Sequence, residues 1–480
     1  MTVPRLPFTG AADAYFRNGF PQPINGPPSM PLLTACYLLI ALVALLLLTD
    51  RLRLQPFLAL VAVTAGFGLV IRMSISQIGN LFGIGFSNSL QSLGLVILAG
   101  QLMFVLAEQS GGADRLAGAA PRRPLLAQLV TLVGTIAGIA STPAAALAVL
   151  IPLIRSLGRN RADGGNRLTV FLGLALSAGH GLLFPAPVVI AGIAILGADT
   201  GRTLAIGLPI GVVTAFAGAL AASAVMARLA STRLAPAHLG AMQPWQAGRG
   251  SGPSANRTAA SLVAASLLLI VLLAVQSLAD IPSEPFGGGP AREMLLGLGR
   301  PLVLIIIGPG LMLVALGRWS RDIVSTEGWL GRALIQAAPA MLLIGAAGGL
   351  QRLLQETGMA ELLGEKLLGW HLGLLLPLLV AALMKTLQGS SLVAAITAAG
   401  MIQPLLVPLG LDHETGRALA VLAIGIGSMT VAHINDPFFW LIGENARLRN
   451  HQALAVVSFS MALQALVALV LLQIVAVIDA

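Results

Sequence analysis

Val431-Ala-His-Ile-Asn-Asp-Pro-Phe-Phe-Trp440 sets a histidine, an asparagine and an aspartate inside a long apolar run. The stretch before it, Val421–Thr430, is almost entirely small or apolar, and Phe438, Phe439 and Trp440 close it. Polar side chains in apolar surroundings are costly unless they are hydrogen-bonded or paired. A proline following them interrupts a helix. The stretch therefore reads as a deliberate break in a buried helix.

The rest of the chain says what surrounds that break. Of 480 residues, 56% are hydrophobic and 10% are charged, against about 25% charged in an ordinary soluble domain. Runs such as Leu32–Leu48, Leu262–Ser277 and Ala453–Ile478 approach or exceed the ~20 apolar residues that span a bilayer. The chain is an all-α polytopic membrane protein. Met1–Pro31 is rich in Pro and Gly and has no apolar core of its own, so the first hydrophobic segment is expected to stay as a helix. The single cysteine, Cys36, forms no disulfide within the chain and no zinc site. The net charge of +9 is carried by arginines, with only Lys366 and Lys385 as lysines. In this setting the arginines orient loops in the membrane, and no nucleic-acid partner is implied.

Simple spans are expected at about 31–49, 55–72, 91–108, 203–227, 259–279, 297–317, 331–353 and 451–478. Four apolar regions are interrupted. Residues 124–157 are broken by Ser141-Thr142-Pro143, and 168–199 by His180 and by Pro185-Ala-Pro187. Residues 371–409 are broken by Gln388-Gly389-Ser390-Ser391, and 417–444 by the opening stretch. The interruptions match in order. Ser177-Ala-Gly-His180 pairs with Thr430-Val-Ala-His433, Ser141-Thr142 with Ser390-Ser391, and Glu108–Gly111 with Gln355–Gly358. Such matching predicts two repeats, 31–228 and 259–480, after an N-terminal segment 1–30 and around a polar cytoplasmic linker 229–258.

If the two Ser/Thr-containing regions are re-entrant hairpins, each repeat has an odd number of crossings and the repeats are inverted. The charges agree. With both termini outside, most basic residues, including Arg51, Arg53, Arg122, Arg123, Arg159, Arg228 and Arg257, fall in cytoplasmic loops. Acids such as Asp280, Glu284, Glu361, Asp412 and Glu414 fall outside.

Backbone that leaves helical geometry within a membrane survives only where it is buried in protein or lines a cavity. Matched interruptions in two inverted halves point to a transport site near the midplane. Ser141, Thr142, Ser177, Thr430, Ser390 and Ser391 offer hydroxyls there, and Gln388 and Asn435 offer amides. Gly389 permits close backbone approach, and Lys385 can attract a carboxylate. The plainer reading of any one Ser or Thr is a bond to the preceding turn of its own helix. His180, Lys385, His433 and Asp436 are intramembrane ionisable groups, and such groups are functional by default. Asp436 is the first candidate to carry a proton and His433 the second. The alternative for Asp436 is a permanent structural pair with Lys385 or His433. Glu108 and Glu356 read as solvated helix ends, Asn80 and Asn88 as residues of a Gly-rich loop, and Gly345, Gly348 and Gly349 as close-packing positions.

Lys385-Thr-Leu-Gln-Gly-Ser-Ser-Leu-Val-Ala-Ala-Ile-Thr-Ala-Ala-Gly400 resembles a segment of the gluconate permeases, as does Ala432–Trp440. His180–Pro187 and Ala338–Gly358 resemble further parts of that family. The chain departs from the family pattern at Ala432, Pro437 and Phe438. The resemblance is to the gluconate:proton symporter family, within the ion transporter superfamily. It implies proton-coupled uptake of gluconate or a related sugar acid across a bacterial cytoplasmic membrane. It also implies a homodimer in membrane lipid with an elevator-type transport domain, and no bound cofactor. Sodium coupling and carboxylate exchange stay open, since backbone carbonyls can bind sodium without a sequence signature. A metal site from His180, His433 and Asp436 would make an intramembrane enzyme, but no HExxH or Gly-x-Ser-x-Gly pattern accompanies it.

Overall fold

The structure is a computed structural model. It describes residues 31–479 apart from 122, 140–141, 162–164, 231–252, 281–285, 288, 318–319 and 359–371. The N-terminal segment 1–30, most of the linker, Ser141 and Glu361 lie outside the described residues.

All regular structure among the described residues is helical. The first part comprises α1 (Pro31–Leu46), α2 (Pro56–Val70), α3 (Ile75–Ser89), α4 (Leu95–Gln109), α5 (Gly112–Ala119), α6 (Arg123–Ala137), α7 (Pro143–Gly158), α8 (Asn166–Leu182), α9 (Pro187–Leu196) and α10 (Thr200–Ala230). The second comprises α11 (Pro253–Ala279), α12 (Pro290–Leu298), α13 (Pro301–Leu316), α14 (Arg321–Val324), α15 (Trp329–Glu356), α16 (Leu375–Gln388), α17 (Ser391–Ile402), α18 (Glu414–Met429), α19 (Pro437–Asn445), α20 (Asn450–Ala453) and α21 (Phe459–Asp479). Many of these helices open on proline, which fits the first helical position because its missing N–H has no partner to lose there.

Among the described residues, six helical stretches are long and apolar enough to cross a membrane, and α12 with α13, bent by 59° at Gly299–Arg300, would be a seventh if the pair forms one span. The protein is a multi-pass membrane protein. The two regions interrupted at Ser/Thr pairs are shorter apolar helices in pairs, α6 with α7 and α16 with α17.

The packing around these pairs is matched. α6 and α7 both lie on α8, as α16 and α17 both lie on α18. α7 also packs on α19, and α17 on α9. α8 and α18 cross so closely that a methyl group on Gly425 would stand 1.9 Å from the Gly181 carbonyl. In a second group of helices, α15 packs on α3 and α4 and α13 packs on α4, while α13 also packs on α11, α4 on α7 and α15 on α19.

Two expectations are corrected here. Asn80 and Asn88 lie in a helix, not a loop. Ser74 caps α3, accepting from Gln77 N–H at 3.2 Å, while Gln77 Oε1 accepts from Ser74 N–H at 2.9 Å. The span therefore begins at Ile75 and runs on to Gln109 through a π-turn at Leu90–Gly94. Gly79 and Gly83 of α3 face open space, and Gly85 is the one that packs tightly. Gly85 lies against the Gly348 carbonyl, while Phe82 and Phe86 fill the space over Gly349 and Gly345.

Helix α8 also runs through His180, which lies in its last turn rather than in the break. A histidine can sit in a helix. The residue that cannot follow the helix is Phe184, because Pro185 after it disfavours helical backbone, and the break falls at Leu183–Ala186.

Candidate functional site

Between α16 and α17 the chain turns at Gly389, whose φ of +76° lies in the left-handed region. A side chain there would be strained. It would also collide, since its Cβ would stand 2.4 Å from the Asn435 carbonyl oxygen. Glycine is required on both counts, and the turn is thereby pressed onto the α18–α19 break. Ser390 caps α17, its Oγ accepting from Val393 N–H at 3.4 Å, and Ser391 opens that helix.

The opening stretch is the α18–α19 break. α18 stops at Met429, Val431 takes a positive φ of 47°, and α19 restarts at Pro437. Asp436 is the capping residue of α19, with Oδ1 accepting from Phe438 N–H at 2.9 Å. Its other oxygen, Oδ2, lies 2.7 Å from Lys385 Nζ. Lys385 Nζ also donates to the Gly389 carbonyl at 2.7 Å. Both side chains are buried, at 4% and 7% exposure. One ion pair thus ties the hairpin turn to the helix break. Lys385 suits its place in the last turn of α16, where the helix dipole favours a cation.

The neighbouring polar residues complete the joint. His433 Nε2 lies 2.7 Å from the Thr386 carbonyl. Asn435 Nδ2 donates to the same carbonyl at 3.0 Å and to Leu387 O at 3.4 Å. The last carbonyls of α16, which have no partner within the helix, are thus capped by side chains of the break. Gln355, near the end of α15, reaches the Gln388 carbonyl at 3.4 Å. Trp440 Nε1 donates to Ile434 O at 2.7 Å, and the Ser458 hydroxyl to Ala432 O. The Ala432, His433 and Ile434 carbonyls of the break and the last carbonyls of α16 thus find donors within the protein, as burial in lipid demands.

The structure thus brings Lys385, Gln388, Gly389, His433, Asn435 and Asp436 together around Thr386. Thr430 is not part of that joint, since its hydroxyl bonds Ile426 O at 2.8 Å within its own helix. The first-half residues form a separate, similar joint. Thr142 caps α7, accepting from Ala145 N–H at 3.1 Å, and His180 Nδ1 lies 3.1 Å from the Gly138 carbonyl. Gly138 precedes the capping Thr142 by the same interval as Thr386 precedes the capping Ser390. By capping role the matched tip residues are Thr142 and Ser390, one position away from the pairing read in sequence. Ser177 is buried within α8.

The two helix-end carboxylates are not solvated ends. Glu108 pairs with Arg159 at 3.1 Å, which also holds Asp114 at 2.9 Å, and Glu356 pairs with Arg352 at 3.1 Å. Thr386 and Leu387 were missed by sequence reasoning because they act through backbone carbonyls, which leave no side-chain signature. The Gln355 contact had a signal, its place in the matched Glu108–Gly111 and Gln355–Gly358 helix ends.

A multi-span helical protein with buried charges held at a helix break is of the membrane-transporter class. The comparisons give the family. The sequence profile of the GntP family permeases matches residues 31–478, and the chain belongs to that family. It is similar to the gluconate permease of Zymomonas mobilis, with 29% identity over 91% of this chain and 96% of the relative. It is equally similar to the gluconate permease of Pseudomonas aeruginosa, with 29% identity over 84% of this chain and 89% of the relative. The high-affinity gluconate transporter of Escherichia coli is 28% identical over 84% of this chain and 90% of its own length. The protein is a permease, not an enzyme.

Proposed function

We propose that the chain is a proton-coupled symporter for gluconate or a related sugar acid, working by elevator-type alternating access in the cytoplasmic membrane. The carrying observation is the buried Lys385–Asp436 pair that joins the α16–α17 turn to the α18–α19 break.

The net charge of the site decides which of its states cross the membrane. In the empty site the ammonium and the carboxylate cancel. A substrate carboxylate arriving alone would add one uncompensated negative charge. A proton on Asp436 alone would leave Lys385 positive. With both present, Asp436 is neutral and Lys385 faces the substrate carboxylate, so the site is neutral again. A net charge carried through the membrane interior costs about 2.5–3.5 kcal/mol or more. Empty and fully loaded carriers therefore cross, and half-loaded ones do not. That is the rule a symporter needs, with one proton per monoanion and no net charge moved.

The reading takes residues 31–228 and 259–480 as inverted repeats around the linker 229–258. It is supported by the matched histidine–carbonyl joints and by the matched packing of α6 and α7 with α8 and of α16 and α17 with α18. The hairpins and broken helices form the moving part, and α3, α4, α13 and α15 the scaffold. The arginine bias puts both termini outside, and the protein acts as a homodimer. Hydroxyls and backbone N–H groups at the Thr142 and Ser390 tips contribute to substrate contact. No cofactor enters this reading.

Uptake into proteoliposomes tests it. Labelled gluconate should accumulate under an imposed inward proton gradient without sodium, competed by other sugar acids. Accumulation only with a sodium gradient would overturn the proton coupling, and no uptake of any carboxylate would overturn the function.

A further inference from the structure

We infer that His433 and Asn435 read hydroxyl hydrogens of the substrate, through His433 Nδ1 and Asn435 Oδ1. The inference rests on the transport reading and adds which residues set specificity, and by which atoms.

Both atoms are buried and have no hydrogen-bond partner among the described residues. His433 is 7% exposed and Asn435 1%. A buried polar atom without a partner is destabilising, and native structures keep few of them without a reason. These two sit beside the ion pair of the proposed site, on the residue before Asp436 and on one two positions earlier.

Their chemical sense follows from their neighbours. The Thr386 carbonyl can only accept, so His433 Nε2 must carry the hydrogen that bonds it. Nδ1 of the neutral ring is then a bare lone pair. A doubly protonated ring would bury a second cation next to Lys385, whose own countercharge is already taken by Asp436. The same logic fixes the Asn435 amide. Its nitrogen faces two carbonyl oxygens, Thr386 O and Leu387 O. Turned over, the amide would set oxygen against oxygen, so Oδ1 must point the other way. The donors of both side chains are thus used inside the protein, and only acceptors remain.

An acceptor cannot bind a carboxylate oxygen. It can bind a hydroxyl hydrogen. The carboxylate end of the ligand belongs with Lys385, and the unpartnered acceptors take hydroxyls on its carbon chain. The ligand class is a hydroxylated monocarboxylate. An acid without hydroxyls would leave both acceptors unpartnered and is rejected on that ground, as polar sites generally reject analogues that lack the matching group.

The test is competition in proteoliposomes, using gluconate, each of its singly deoxygenated analogues, and hexanoate. For the wild type, hexanoate and at least one deoxy acid should be weaker by about tenfold or more. In Asn435→Leu and His433→Leu, gluconate and the matching deoxy acid should become nearly equal. His433→Gln keeps an uncharged donor for the Thr386 carbonyl together with an acceptor, and should keep the wild-type ratio. The ratio is internal to each preparation, so lower expression does not affect it, and the wild-type panel needs no variant. Gluconate uptake by the wild type with no discrimination against deoxy acids or hexanoate would overturn the inference and leave the transport reading intact. Discrimination that persists unchanged in both leucine variants would also overturn it, the two acceptors then meeting only ordered water. A wild type that transports no carboxylate would overturn both.

Discussion

Replacing Asp436 by asparagine separates the charge of the pair from its shape. Asn Oδ1 can still accept from Phe438 N–H, so the cap of α19 survives. What disappears is the countercharge 2.7 Å from Lys385 Nζ. Removing one partner of a buried pair destabilises by about 3–5 kcal/mol. The lower end applies, because the ammonium keeps its bond to the Gly389 carbonyl. The transport consequence is more selective. The empty site now carries one positive charge, and a crossing cost of about 2.5–3.5 kcal/mol slows its return about a hundredfold. Loaded with a monoanion, the same site is neutral and crosses as before. Asp436→Asn should therefore lose net uptake driven by a proton gradient, yet keep counterflow, the exchange of external labelled gluconate for internal unlabelled gluconate. Both are measured on the same proteoliposomes. Concentrative uptake that survives would refute Asp436 as the proton carrier. Loss of counterflow in a folded variant that still binds gluconate would refute the charge count.

Four further outcomes follow from particular contacts. Lys385→Met buries an unpaired carboxylate, and adding Asp436→Asn should recover about 1–3 kcal/mol of the loss, read as a rise in melting temperature of the double variant over the single. Gly389→Ala combines a positive φ with a contact to the Asn435 carbonyl, so it should cost about 2 kcal/mol or more and abolish uptake. Gly85→Ala drives a methyl group into the Gly348 carbonyl and should destabilise by about 1–3 kcal/mol, whereas Gly83→Ala meets nothing and should be neutral or slightly stabilising in the same thermal assay. Arg159→Ala removes two partly exposed ion pairs and should cost about 1 kcal/mol or less in thermal stability.

The membrane class was legible from composition, and the opening stretch was legible as a helix break because His433, Asn435, Asp436 and Pro437 violate an otherwise unbroken apolar pattern. The pairing of Lys385 with Asp436 was one of two partners that sequence allowed, and the geometry chose it over His433. Other features depend on what sequence does not display. Thr386 matters through its carbonyl alone, and any residue there would offer the same atom. Asn80 and Asn88 looked like loop because glycine weakens helices, but close packing on α15 outweighs that weakness. The Ser74–Gln77 capping box stood in the sequence as a start signal for that helix. His180 reads as a break only if polarity is equated with irregular backbone, and the proline after Phe184 was the better guide. The tip residues Thr142 and Ser390 had to be matched by capping role, which the repeated Ser/Thr pairs obscure.

On the proposed coupling, empty and fully loaded sites are both neutral. Imposing a proton gradient and a membrane potential separately on proteoliposomes holding the wild-type protein tells whether they are. The account predicts gluconate accumulation under the proton gradient with the potential clamped at zero. It also predicts no accumulation under a potential alone at equal pH. Accumulation driven by the potential alone, or a net current accompanying uptake, would contradict it.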